Sequence, residues 1–320
     1  MTLTMTKQAP IGSGFGAKTT AREAIAGVDL RGKVAIVTGG YAGIGTETTR
    51  ALVEAGATVV APARSPEKAR AALAGIDRVE LEALDLADPA SIDAFAQRFL
   101  ASGRALHILV NNAGIMACPL ERDARGFEPQ LATNHIGHFQ LTARLWPALA
   151  RAKGARVVSV SSRGHRRSKL VFDDPHYERR TYDKWEAYGQ SKTANVLFAV
   201  ALDARGEKHG VRAFAVHPGV IRTDLARHLS KEEFEGMLSR LPNLTWKTPE
   251  QGAATSVWCA ASPRLSGMGG VYCEDVEVSG IAPDNDPTAM KGVNTWAIDR
   301  DAAERLWALT EKWTGVSFRP

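Results

Sequence analysis

Cysteine is scarce. Cys118, Cys259 and Cys273 are the only three in 320 residues, widely spaced and without a CxxC, which argues against a disulfide framework or a zinc site and fits a reducing compartment. No apolar run is long enough to span a bilayer, so no stable membrane insertion is expected. The first residues lack the basic and apolar regions of a secretory signal, and the expected location is cytoplasmic. Neither charge sign dominates any long stretch. The net charge is +5 and the isoelectric point near 9.1, but acids and bases are interleaved. That reads as a solvated basic surface, and no nucleic-acid partner is expected. What the chain does have is Ala-rich segments alternating with short Val/Ile runs, the pattern of one α/β domain.

That domain is organised around Val34–Gly45, VAIVTGGYAGIG. The V-A-I-V run has the length of a buried parallel strand, and Gly39, Gly43 and Gly45 open a helix-periodic segment. A strand, a tight turn and a helix start let backbone approach a diphosphate, whose charge the first-turn N–H groups and helix dipole stabilise. A second strand, Thr58–Ala63, ends at Arg64, with Lys68 close behind. An acid here would bond a ribose 2′-hydroxyl, whereas a cation neutralises a 2′-phosphate. The expected coenzyme is therefore NADP(H), with NAD(H) possible. The third strand, Val79–Leu84, leads to Asp85 and Leu86, where a short acid can accept a bond from an adenine amino group. The fourth, Leu106–Val110, runs into Asn111, Asn112, Ala113 and Gly114, small residues that admit a coenzyme and amides that can tie strand ends together.

These motifs, with Asn134 in TNHIGHF, Ser162 in VVSVSS, Tyr188 and Lys192 in YGQSK, and HPGVIRT at 217–223, occur in the order found in the short-chain dehydrogenase/reductase superfamily, which the chain resembles over residues 30 to about 275. The segment before the first strand, the long gap between Ser162 and Tyr188, and the tail LWALTEKWTG are similar to the branch that holds retinol dehydrogenases and the WW-domain-containing oxidoreductase. The resemblance implies a single doubly wound Rossmann-like α/β domain with a parallel sheet flanked by helices. Its expected extent is 18–279, with an insertion at 163–185 and a substrate-side segment at 224–248. Residues 1–17 are expected to be flexible, Thr19–Gly27 to form a short helix on the outside of the sheet, and 280–320 to form a C-terminal extension with a helix.

Ser162 follows the strand Ala155–Ser161, and Tyr188 and Lys192 are four apart on one helix face. A phenol of ordinary pKa ~10 exchanges protons poorly at neutral pH, and a neighbouring ammonium is expected to lower it. Ser162 would hold and polarise a carbonyl oxygen. The resemblance implies that Lys192 also bonds the nicotinamide ribose, and that Asn134 braces a helix and holds a water near Lys192. It also places the carboxamide against Val220, Ile221 and Thr223 after Pro218 and Gly219, and puts Tyr41, Ile44, Asn112, Ala113 and Gly114 in the coenzyme cradle. His217 is expected to be structural, because the assembly already contains its acid.

Tyr41 departs from the small polar residue usual at its place, and two uses are open: packing over the adenosine phosphate, or standing in solvent. The insertion is equally open between a flap over the substrate mouth and a surface excursion that packs Phe172 and Trp185. Leu225, Leu229, Phe234, Met237, Leu238, Leu241 and Trp246 offer a largely apolar wall, open between lining a pocket for a small hydrophobic carbonyl or alcohol and holding helices to the core. The expected activity is hydride transfer between nicotinamide C4 and an alcohol or carbonyl. NAD-linked alcohol oxidation, carbon–carbon double-bond reduction and a non-catalytic cofactor-gated binding protein are the alternatives. A homo-oligomer is one of two open states, since the C-terminal helix could cover the pocket or block an interface through which relatives associate.

Overall fold

A computed structural model describes residues 6–239, 245–283 and 291–318; the side chains of Met237 and Leu238 are not among what is described. Leu241, read above as part of the apolar wall, and residues 284–290 of the C-terminal extension lie outside the described residues.

The strands are β1 (Val34–Val37), β2 (Thr58–Ala63), β3 (Val79–Ala83), β4 (Ile108–Asn111), β5 (Arg156–Val160), β6 (Arg212–His217), β7 (Val220–Ile221), β8 (Trp246–Lys247), β9 (Val271–Glu274) and β10 (Glu277–Val278). Eight form one sheet in the order β10-β9-β6-β5-β4-β1-β2-β3, and β7 and β8 pair separately. Every pairing in the main sheet is parallel except β10 on β9. The chain order reverses at β1, which pairs with both β2 and β4. In such sheets the crevice beyond the carboxyl ends of the strands at the reversal is where ligands bind. The expected doubly wound Rossmann-like fold is the one observed, and the hairpin to β10 is an addition that the sequence did not signal.

The helices are α1 (Ala21–Ala24), α2 (Ile44–Glu54), α3 (Pro66–Ala72), α4 (Pro89–Ala101), α5 (Pro129–Leu131), α6 (Gly137–Arg151), α7 (Lys184–Gly206), α8 (Lys231–Ser239), α9 (Pro249–Ala261) and α10 (Arg300–Thr314). Local chemistry starts several of them. Thr20 and Glu23 form a reciprocal capping box on α1, Thr248 and Gln251 another on α9, and the Asp183 carboxylate accepts from Trp185 and Glu186 N–H at the start of α7. One apolar core joins the sheet to α4, α6, α7 and α10. The other joins its opposite face to α1, α2 and α9. The short α1 thus packs on the outside of the sheet.

Residues 6–17, expected to be flexible, are instead tied to the β9–β10 edge. The Gln8 side chain donates to Tyr272 O and Ser279 O and accepts from Tyr272 N, and the Glu277 carboxylate accepts from Ile11 N and Ser13 N. Composition gave no sign of this, because the partners lie more than 260 residues away in sequence.

Candidate active site

One continuous cavity of about 1570 Å³ opens at the carboxyl ends of the strands. Its outer half is built on the turn from β1 to α2. Gly39 and Gly43 have φ of +63° and +53°, which a side chain would strain. A Cβ on Gly45 would lie 2.1 Å from Gly39 O, so only glycine lets the helix start this close to the turn. Gly43 caps α2 with no side-chain hydrogen bond, so no capping side chain stands between the helix N-terminus and a ligand, while Gly45 N donates to Ala42 O at 3.0 Å within the turn. The end of β4 is bolted to this turn: Asn112 Nδ2 donates to Thr38 O at 2.9 Å, and Thr38 Oγ1 accepts from Asn112 N and Ala113 N at 2.9 and 3.0 Å. Asn111 reaches away from the strand ends, to Thr142 of α6. The Thr223 methyl would lie 3.0 Å from a Cβ on Gly43, which places the turn after β6 over the glycine turn. A cradle of this form, with a cation at one end, fits a phosphorylated dinucleotide.

The inner half holds the chemical groups. Ser162 lies just beyond β5 and accepts from Gly164 N at 2.9 Å, and the Tyr188 ring lies beside it: a Cβ on Gly164 would be 3.4 Å from Ser162 Oγ and 2.7 Å from Tyr188 Cε1. Lys192 Nζ donates to Val160 O at 3.0 Å and sits 5.6 Å from the centre of the Tyr188 ring. The lysine was expected to lower the phenol's pKa, and here the structure differs. Burial pushes Tyr188 up to about 12, with only the neighbouring Ser162 hydroxyl opposing it, and brings Lys192 down to about 8. In an enclosed site, desolvation outweighs a cation that is turned toward a backbone carbonyl.

Asn134 is fully buried in a turn of π-helix, Ala132–Ile136, between α5 and α6, where Gly137 N bonds Ala132 O five residues back. Its Oδ1 accepts from Ile115 N, and its Nδ2 donates to Ile115 O and Ser191 Oγ. The amide therefore clamps the loop after Gly114 to α7, and both its hydrogens are committed to protein. Gly137 permits the approach of this helix, since a Cβ there would lie 2.3 Å from Leu86 O.

Gly39, Tyr41, Gly43, Ile44, Arg64, Asp85, Leu86, Asn112, Ala113, Gly114, Ser162, Tyr188, Lys192, Pro218, Gly219, Val220, Ile221 and Thr223 all line the cavity. Gly45 and Asn134 stand behind its wall, and Lys68 is exposed outside it. His217 is buried, and its Nδ1 accepts from Arg163 N and Gly219 N, bracing the two loops that flank it. Residues 170–182 of the insertion pack on the body. His176 stacks on Phe127 with ring centres 4.5 Å apart, Arg122 donates to His176 O and Tyr177 O, and Phe172 lies under Arg305. Only the insertion's ends, Arg163, Gly164, Arg166, Arg167 and Trp185, reach the cavity. On the substrate side Leu225, Phe234 and Trp246 line it together with Arg222, Asp224, Arg227, Glu232 and Glu233, so this wall is less apolar than expected.

Three contributors escaped the sequence reading. A Cβ on Gly164 would lie 2.7 Å from Tyr188 Cε1. Thr38 supplies the oxygen that joins β1 to β4, and His138 is bonded to that same oxygen at 2.9 Å. A polar residue ending an apolar strand was the available signal for Thr38.

The family model for short chain dehydrogenases matches residues 33–233. The chain belongs to the short-chain dehydrogenase family. As a member it is an NAD(P)-dependent oxidoreductase of that type. This short-chain dehydrogenase is 47% identical over 294 residues to a Streptomyces lividans protein named "Probable oxidoreductase", covering 88% of this chain and 97% of that one. It is 41% identical over 297 residues to human retinol dehydrogenase 12, covering 91% and 89%. Among solved structures, an uncharacterised Mycobacterium paratuberculosis protein superposes with a TM-score of 0.73 at 31% identity, covering 93% of this chain and 98% of that one. The RhlG/NADP complex of Pseudomonas aeruginosa superposes with a TM-score of 0.63 at 26% identity, covering 77% and 95%.

Proposed function

We propose that this short-chain dehydrogenase is an NADP(H)-dependent carbonyl reductase and alcohol dehydrogenase acting on a small, largely hydrophobic molecule. The observation that carries the reading is one cavity lined by a cation, Arg64, at the coenzyme end and by Ser162, Tyr188 and Lys192 at the other. Arg64 is exposed at the end of β2 and, among the described residues, makes no ion pair, which leaves it available to a 2′-phosphate. The solved complex of a relative with NADP supports the same coenzyme, and the likeness to human retinol dehydrogenase 12 supports membership of that branch and a hydrophobic substrate.

When bound, the coenzyme supplies or takes the hydride at nicotinamide C4. Ser162 holds the carbonyl oxygen and donates to it as negative charge grows there. Tyr188, kept protonated through neutral pH by burial, gives that oxygen its proton. At neutral pH the phenol is in the proton-bearing form that reduction needs, but a pKa near 12 makes it a weaker acid than an ordinary tyrosine, so its proton moves only as negative charge builds on the oxygen beside it. Lys192 holds the coenzyme's ribose, and Asn134 fixes the loop and helix on which Gly114 and Lys192 sit.

The test is titration of NADPH and NADH into the wild type and Arg64→Ala, with carbonyl reduction followed in Tyr188→Phe. The expected outcome is an NADPH preference that falls at least ~10-fold in Arg64→Ala, the scale of one charge-assisted phosphate contact. Tyr188→Phe should lose turnover while retaining NADPH affinity. Equal affinity for the two coenzymes, or indifference to Arg64, would redirect the assignment to NAD-linked alcohol oxidation.

A further inference from the structure

We propose that His138 is a positioning residue that locks the coenzyme cradle to the π-turn carrying Asn134, so that the two halves of the site hold their geometry only together. The proposal rests on the reading of the 38–45 and 112–114 segments as that cradle. His138 lies on the first turn of α6, four residues after Asn134, and is 2% exposed. Its Nδ1 is 3.0 Å from Asn134 O and its Nε2 is 2.9 Å from Thr38 Oγ1. A carbonyl can only accept, so Nδ1 carries the hydrogen and Nε2 has the lone pair. Thr38 Oγ1 already accepts from Asn112 N and Ala113 N, and its one hydrogen points to Nε2, because the alternative acceptor, Val110 O, is 3.4 Å away.

A directed chain results. It runs from two N–H groups of the cradle through the Thr38 hydroxyl and the imidazole to the backbone of the very residue whose side chain clamps Ile115 and Ser191. Each member of the imidazole link, Thr38, His138 and Asn134, is buried beyond the reach of bulk solvent. Burial also holds the ring neutral, with its pKa down to about 4, so the chain keeps one direction across the working pH range. Displacing the imidazole would free the Thr38 hydroxyl to rotate and the π-turn to relax, shifting Asn112 and Asn134 at once.

The experiment is a double-mutant cycle read by NADPH fluorescence titration of the full chain, which needs no knowledge of the substrate. Thr38→Val and His138→Phe should each weaken NADPH binding about tenfold, and the double variant also about tenfold, not the roughly hundredfold of independent sites. His138→Gln, whose Oε1 can accept the Thr38 hydrogen, should return the affinity to within about threefold of wild type. Independent losses, or wild-type affinity in His138→Phe, would reduce His138 to packing and overturn the proposal. Should His138→Phe fail to fold, the long-range nitrogen spectrum of the wild-type histidines decides: a neutral Nδ1–H tautomer is required, and an Nε2–H tautomer overturns it. A wild type that binds neither dinucleotide would instead overturn the function proposed above, before any variant is read.

Discussion

Gly164 shows how closely the reacting groups are fitted at the residue scale. A methyl group there would meet the Tyr188 ring at 2.7 and 3.0 Å, distances at which the ring must move. A misplacement of about 1 Å in a reacting group costs on the order of a hundredfold in rate. Gly164→Ala is therefore expected to lower carbonyl reduction about a hundredfold while leaving NADPH affinity within about threefold of wild type, because Gly164 makes no contact with the β1–α2 turn. Steady-state kinetics beside a fluorescence titration checks this, and full activity would mean that the ring tolerates displacement. The meeting of Ser162, Tyr188 and Lys192 at one cavity, with Asn134 behind its wall, was legible in the sequence because each sits in a motif of recognisable residue types and spacing. Gly164, Thr38 and His138 were not, since each owes its role to an atom that only the fold brings near. The protonation of Tyr188 was misjudged for a related reason: spacing says that Lys192 shares its helix face, but only the structure says that the ammonium bonds Val160 O and that burial dominates.

At the scale of elements, the parallel strands and their helices could be read from short apolar runs and helical periodicity, while the β9–β10 hairpin could not. Its two turn residues, Asp275 and Val276, have φ of +52° and +61°, the pattern of a type I′ turn usually written Asn-Gly. A β-branched residue in the left-handed region is strained and must be held by its surroundings. Asp275 is held by Lys247 Nζ at 2.7 Å and Lys291 Nζ at 2.6 Å, and the fully buried Val276 donates its N–H to Thr255 Oγ1 of α9 at 3.1 Å. Lys247 belongs to β8, which pairs with β7 of the turn expected to carry the carboxamide, and its stem packs on Gly219. The hairpin thus anchors the far wall of the site. Thr255→Val keeps the volume and strands the Val276 N–H, and should cost ~1–3 kcal/mol in urea unfolding. Unchanged stability would mean that the turn is held by the ion pairs alone. The insertion was legible as an excursion but not as to its packing, because the groups that pin it, Arg122, Phe127 and Trp313, come from distant parts of the chain.

Across the whole molecule, α10 lies against the outer side of α7 and the π-turn and contributes nothing to the cavity lining. Trp307 stacks on Phe198 and meets Phe139 edge-on, and Thr310 is bonded to His135 at 2.9 Å. The helix covers His135 and His176, and with His138, His165 and His217, buried elsewhere in the fold, five histidines are withdrawn from solvent. Burial lowers all five, His135 and His217 to about 3 and the other three to about 4. An unfolded histidine takes up its proton near pH 6.5, whereas these take theirs only in strong acid. Below pH 6.5 the unfolded state therefore binds more protons than the fold, and stability is full above that pH and falls as acid is added. Each histidine contributes a slope of up to ~1.4 kcal/mol per pH unit, and five together ~7 kcal/mol, against a total stability of ~5–15 kcal/mol for a domain. Glu128 and Glu274, raised by burial, act in the opposite sense and soften the slope. Half-unfolding is expected between about pH 4.5 and 5.5, above the range where ordinary carboxylates titrate. Tryptophan fluorescence and circular dichroism followed from pH 8 to pH 3 would show it, and a cooperative fold persisting at pH 4 would mean that these histidines accept protons without leaving the native structure.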